Sequence, residues 1–209
     1  MLERFAERKK VHSQLEIIAG SMFSGKTDEL IRRLVREEIA KLNVQVFKPS
    51  IDTRGNMYKI TSHSKAEHNA TPVEDSRSII ALVRPDTQVV GIDEAQFFDS
   101  EIVNVCEELV SMGKRVIVAG LPADFRGEPF GSMPQLMAKA EEVDKVHAVC
   151  MTCGEEADFT QRIKIIDGER MPVDYNDPLI LVGAGLDYEA RCRRHHEVPG
   201  KPASKLHDG

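Results

Sequence analysis

The stretch Leu15-Glu-Ile-Ile-Ala19, followed by Gly20-Ser-Met-Phe-Ser-Gly25-Lys26-Thr27, decides the fold. Its first five residues are apolar apart from one glutamate, too short for a helix and bounded by a glycine turn, so they read as a buried strand. The next eight match G-x-x-x-x-G-K-[ST], a phosphate-binding loop that needs a strand before it and a helix after it. A helix is expected next, since Leu30, Ile31, Leu34, Val35 and Ile39 recur at helical spacing. The glycines let backbone N–H groups turn inward around phosphate oxygens, and the helix N-terminus adds partial positive charge. In such a loop Lys26 reaches the β- and γ-phosphates of ATP, and the Thr27 hydroxyl ligates Mg2+. The expected ATP-binding residues here are Gly20, Ser21, Met22, Phe23, Ser24, Gly25, Lys26 and Thr27.

Three further runs, VQVF (44–47), TQVVGI (87–92) and RVIVAG (115–120), repeat the strand signature, and Ile102, Val105 and Leu109 mark another helix between them. Alternation of this kind predicts a doubly wound α/β fold with a parallel sheet flanked by helices. The run TQVVGI ends in Asp93-Glu94. A carboxylate at the end of a strand beside the phosphate loop holds Mg2+, usually through water, so Asp93 takes that role, with helix capping as its plainer alternative. Glu94 is then placed to deprotonate an attacking hydroxyl, of water in an ATPase or of a substrate in a kinase; the pair alone does not separate the two. The polar stretch 50–71 is long for a connection and is expected to form a lid.

Cys150-x-x-Cys153 and Cys192-x-x-His195 form two ligand pairs. Three thiolates and one imidazole suit a tetrahedral, structural Zn2+ with no open position for catalysis. His196 is the alternative fourth ligand, and Cys106, within an apolar helix pattern, reads as a core residue. The chain of 209 residues, 41% hydrophobic, supports one main domain and a small annex. We expect an N-terminal extension (1–13), a phosphate-loop domain (14–148), a zinc-bearing unit (149–196) and a flexible tail (197–209). A net charge of -6 argues against a nucleic-acid partner, and no apolar run suits a membrane span or a signal peptide, so a cytoplasmic protein is expected.

Taken in order, GSMFSGKT (20–27), DTR (52–54), IDEAQFF (92–98), DFRGEPFG (124–131), CMTC (150–153) and YEARCRRHH (188–196) resemble the thymidine kinase family of cellular and bacterial type, over about residues 14 to 199. The resemblance implies a RecA-like P-loop sheet, a zinc-bearing lasso that closes over the nucleoside, and often a homotetramer. It implies that Glu94 is the catalytic base for the 5′-hydroxyl of thymidine or deoxyuridine, and that Asp52, Thr53, Arg54, Asp93 and Gln96 belong to the ATP site. It assigns Met22, Phe97, Leu121, Phe125, Phe130, Thr160 and Tyr188 to the nucleoside pocket, together with the lasso main chain at Leu179, Ile180, Leu181, Val182 and Gly183. Feedback inhibition by the end-product triphosphate is also implied.

The chain departs from the family at Pro122, where many relatives carry an acidic residue, and at its histidine zinc ligand, where animal relatives use cysteine. The stretch DGERMPVDYND is an insertion to which the sequence assigns no role. Two other readings compete: a P-loop ATPase whose zinc unit docks a partner, which would turn over ATP without a nucleoside, and a zinc-ribbon nucleic-acid adaptor, which the acidic charge opposes.

Overall fold

The computed structural model describes residues 11–52, 56–180 and 187–202. In chain order the elements are β1 (Leu15–Ala19), α1 (Lys26–Ile39), β2 (Val44–Pro49), β3 (Lys59–Thr61), β4 (Glu67–Asn69), β5 (Thr71–Val73), α2 (Arg77–Leu82), β6 (Val89–Ile92), α3 (Ile102–Ser111), β7 (Arg115–Gly120), α4 (Met133–Lys139) and β8 (Glu142–Lys145). The remainder is β9 (Ala148–Val149), β10 (Glu156–Ala157), β11 (Phe159–Ile166), β12 (Glu169–Pro172) and β13 (Asp187–Arg191). The main sheet has the order β5-β2-β6-β7-β1-β8 with every pairing parallel. β1 thus lies beside β7, and β6, which carries the Asp-Glu pair, sits one strand further on.

Strand alternation sends successive side chains to opposite faces. Leu15, Ile17 and Ala19 join α3 and α4 residues such as Ile102, Leu109 and Leu136 in one core, while Ile18 joins Leu30, Ile31 and Leu34 of α1 in the other. Glu16, fully buried, faces Arg33 and Arg115. Burial pushes its carboxyl up, but hydrogen bonds from Arg115, Gln14 and Arg33 outweigh this and hold it below the ordinary carboxylate range. Val35 and Ile39, counted above on the apolar face of α1, are instead exposed: the buried stripe is narrower than the spacing suggested.

The strands VQVF and RVIVAG form as expected, and TQVVGI pairs from Val89 on. The stretch 50–71, expected as a lid, contains the β3–β4 hairpin over its described part. Its tip is fastened to the phosphate loop and α1, with the His63 ring 4.8 Å from that of Phe23 and Ser64 donating to Asp28.

β9 and β10 pair with each other, and β12-β11-β13 form an antiparallel sheet. The insertion explains β12: Asp167 and Gly168 both have positive φ, 51° and 86°, and turn the chain from β11 into an antiparallel partner. The first part of the expected flexible tail is docked. Glu197 N donates to Gln161 Oε1 at 2.8 Å, Tyr175 N to Pro199 O at 2.7 Å, and Lys201 Nζ to Arg126 O at 2.6 Å. Backbone donors and acceptors of the insertion and of the Arg126 loop thus find their partners in this segment; residues 203–209 lie outside the described residues. No helix among the described residues is long and apolar enough to cross a membrane.

Candidate active site and metal centre

β1 delivers the loop 20–25 to the N-terminus of α1, so local sequence alone places Lys26 and Thr27 on its first turn. Lys26 Nζ donates to Ser21 O at 2.7 Å, which folds its ammonium back over the loop. Thr27 Oγ1 donates to Asp93 Oδ2 at 3.3 Å, bringing the two expected magnesium ligands together from elements far apart in sequence. Asp93 is buried, at the exit of β6.

Glu94 follows in the left-handed region, φ 52° and ψ 40°. A non-glycine residue held there carries strain of about 1–3 kcal/mol, which surrounding contacts must offset. Among them, Glu94 N donates to Asp93 Oδ1 at 2.9 Å, and Gln96 Nε2 donates to Glu94 Oε2 at 2.5 Å. Gln96 Oε1 accepts from Leu121 N at 2.9 Å, so one buried amide orients both the carboxylate and the turn after β7. Gln96, assigned to the ATP site by resemblance, thus stands behind Glu94 and is not on the cavity wall. Gly131 lets this arrangement close: its φ is 52°, and a Cβ there would lie 2.4 Å from Gln96 O. Gly131→Ala is therefore expected to destabilise the protein by about 2–4 kcal/mol in denaturant unfolding. A change below about 0.5 kcal/mol would show that the Gln96 backbone yields freely.

One cavity of about 520 Å³ is lined by Met22, Lys26, Thr27, Asp52, Asp93, Glu94, Leu121 and Tyr188, with Ile60 to His63 of the β3–β4 hairpin over it. Asp52 is anchored by buried Lys48, whose Nζ lies 3.0 Å from its Oδ2 and also donates to Lys59 O at 3.2 Å. Phe97 and Phe130 meet edge to face at 5.5 Å, and Phe125 is buried under Arg162; these three rings are not on the wall of that cavity. The Thr160 hydroxyl accepts from Met22 N at 3.0 Å, and Ser21 Oγ donates to Ala157 O at 3.0 Å. The small unit is thereby hydrogen-bonded to the phosphate loop. Leu179 and Ile180 are exposed, while Thr53, Arg54, Leu181, Val182 and Gly183 lie outside the described residues.

Cys150, Cys153, Cys192 and His195 bring their ligand atoms within 4.8 Å of one another. The edge of a tetrahedron with zinc–sulfur bonds is about 3.8 Å, and with one nitrogen about 3.6 Å. Cys153 and Cys192 sulfurs are 3.8 Å apart, and His195 Nδ1 is 3.3 Å and 3.7 Å from Cys192 and Cys150. Burial pushes the Cys150 thiol up, but N–H donors of Cys192, Thr152 and Cys153 and the His195 ring bring it down to about 5, towards the thiolate a metal needs. His196 is engaged elsewhere. Its Nε2 meets Phe125 O at 2.9 Å, its ring stacks on Phe159 at 4.7 Å, and burial lowers its pKa. Cys106 is fully buried, its thiol pushed up to about 12, away from any ligand role.

The family model for thymidine kinase matches residues 13–196. The chain belongs to the thymidine kinase family. It is 57% identical over 187 residues to the thymidine kinase of Coprothermobacter proteolyticus, covering 90% of this chain and 92% of that one. Among solved structures, the Pif1 helicase of Candida albicans matches 65% of this chain and 36% of that chain at 15% identity and a TM-score of 0.35, a likeness that carries no argument. In this thymidine kinase the cavity joins the phosphate loop, the Asp93 and Glu94 carboxylates and the apolar side chains of Met22 and Leu121 within one space. Sequence reading of the site missed the orienting hydrogen bonds of Gln96, the Lys48–Asp52 pair and the buried Arg162. Only a lysine inside the apolar strand signature of β2 hinted at any of these.

Proposed function

We propose that this kinase transfers the γ-phosphate of ATP to the 5′-hydroxyl of thymidine, with deoxyuridine as a second acceptor, and that Glu94 takes the hydroxyl proton. The observation that supports this reading most is the convergence of Lys26, the Thr27–Asp93 pair and Glu94 on one cavity that also holds Met22, Leu121 and Tyr188. Loop amides and Lys26 hold the phosphates, swinging the Lys26 ammonium from Ser21 O onto them. Thr27 and Asp93 offer adjacent oxygens that fit Mg2+, which, bound with ATP, neutralises charge on the phosphates. Glu94, held by Gln96, accepts the proton as the 5′-oxygen attacks. The apolar residues exclude water, which disfavours hydrolysis relative to transfer.

A 5-methyl group contributes only about 1 kcal/mol in an apolar pocket, so thymidine and deoxyuridine both remain acceptors. The Cys3His cluster fits structural zinc, which closes the small unit on itself. Family membership supports a cytoplasmic homotetramer inhibited by its end-product triphosphate.

ATP turnover with Mg2+, measured with and without thymidine, tests the reading. ADP and thymidine monophosphate are expected in equal amounts, with little ADP when thymidine is omitted. Equal ADP formation in its absence would favour the ATPase.

A further inference from the structure

We propose that Arg162 is a positioning residue for nucleoside binding: its buried guanidinium fastens the lasso main chain at Pro178 and Leu179 to the Phe125 ring. The inference rests on the thymidine kinase reading and deepens it.

Arg162 lies within β11, is 0% exposed and heads the largest fully buried side chains. A buried guanidinium normally finds a carboxylate, because an uncompensated charge in the interior is strongly disfavoured. Among the described residues Arg162 has no ion pair. Its Nη1 donates to Pro178 O at 2.7 Å and to Leu179 O at 3.3 Å, and its Cζ sits 3.7 Å from the centre of the Phe125 ring. Two main-chain carbonyls on Nη1 and an aromatic face stand where a counter-ion would, while Nε and Nη2 are buried with no hydrogen-bond partner among the described residues.

What these contacts join gives them meaning. Phe125 belongs to the loop after β7, and Leu179 opens the lasso segment. Tyr188, on the cavity wall, is the partner of Arg162 across the β11–β13 ladder. Two separate parts of the proposed nucleoside site therefore meet at one side chain that is not on the cavity wall, and its main chain pairs with a third at Tyr188. The insertion is held through the main chain of the same residue, since Val173 N donates to Arg162 O at 3.1 Å. Leu179 and Ile180 expose part of their side chains, and the two Arg162 Nη1 bonds to the carbonyls of Pro178 and Leu179 set where this backbone runs. A lysine ammonium can still bond the two carbonyls from its one nitrogen, but it has no planar group to lie on the ring. Methionine fills similar space without any donor.

The experiment compares Arg162→Met and Arg162→Lys with the wild type in KM for thymidine, kcat, Kd for ATP, zinc content and amide exchange at Leu179 and Ile180. In Arg162→Met, KM for thymidine is expected to rise about tenfold or more, with Kd for ATP within about twofold and zinc retained; Arg162→Lys falls between it and the wild type. Exchange at Leu179 and Ile180 is expected to quicken in Arg162→Met, a readout that needs no ligand. Thymidine KM within about twofold of wild type in Arg162→Met, or unchanged exchange there, overturns the inference. So does parallel loss of zinc and of ATP and thymidine affinity in both variants, which makes Arg162 a general core residue. If the wild type fails to phosphorylate thymidine, the functional reading fails, while the exchange comparison still decides what Arg162 does.

Discussion

Glu94→Gln is expected to lower kcat by about 10²–10⁴-fold while the affinities for ATP and thymidine stay within about threefold. The substitution keeps the shape of the side chain, and its amide oxygen can still accept from Gln96 Nε2, which now holds Glu94 Oε2 at 2.5 Å. The left-handed turn at φ 52° and the Asp93 contact through Glu94 N involve backbone and are not altered. On the proposed role of Glu94, only the proton acceptor is removed. An interaction used in the transition state and not in the ground state shows itself as a loss in kcat with little change in binding. Stopped single-turnover assays together with equilibrium binding of each substrate measure both sides of this statement. A kcat within twofold of the wild type would remove Glu94 from the chemistry.

The other large effect is expected from Cys153→Ser: zinc content falls well below one per chain, and thymidine affinity drops by about tenfold or more, further than ATP affinity. Around the Cys3His cluster the buried residues are Ala148, Cys150, Ala157, Ala190 and Cys192, with Ile163 and Val173 buried further along the unit. Three alanines and two cysteines of the proposed metal site bury little apolar surface to hold this end of the unit without a cross-link. Structural zinc in peptides of this kind supplies about 10–16 kcal/mol of apparent binding free energy at neutral pH, so its loss releases the unit. β11 and β13, which carry Thr160, Arg162 and Tyr188, depend on that closure. ATP affinity suffers less, because Lys26, Thr27 and Asp93 belong to the main sheet and its helix. It does not escape entirely, since Ser21 and Met22 are hydrogen-bonded to Ala157 and Thr160. Metal analysis after gel filtration tests the ligand assignment: one zinc per chain in the variant contradicts it.

The four central strands and the phosphate loop were legible because their signals are local. An apolar run of four to six residues, buried on both faces, has no other comfortable state, and the loop's glycines and Lys26 act within one turn of α1. The edge strands were not legible. β8 reads EVDK, exposed throughout, and becomes a strand only because β1 offers its free edge. Thr71–Val73 likewise gains its conformation from β2. The Asp167-Gly168 turn was a readable signal that went unused, overshadowed by the polar composition around it.

The Cys3His cluster shows where local and tertiary information divide. The spacing C-x-x-C and C-x-x-H named the four residues, yet the sequence offered two adjacent histidines. The fold decides between them by occupying His196 with Phe159 and the Phe125 carbonyl, which leaves His195 to the sulfurs. The same holds for Gln96, Lys48 and Arg162. By itself the sequence determined a parallel α/β core, a phosphate loop with its acidic partner and a Cys3His site, because each rests on contacts within a few residues or on apolar runs. Only the tertiary structure decided which polar side chains are buried and what they hold. Burial of a charge depends on carbonyls, carboxylates and rings that arrive from distant segments, and no local pattern records them.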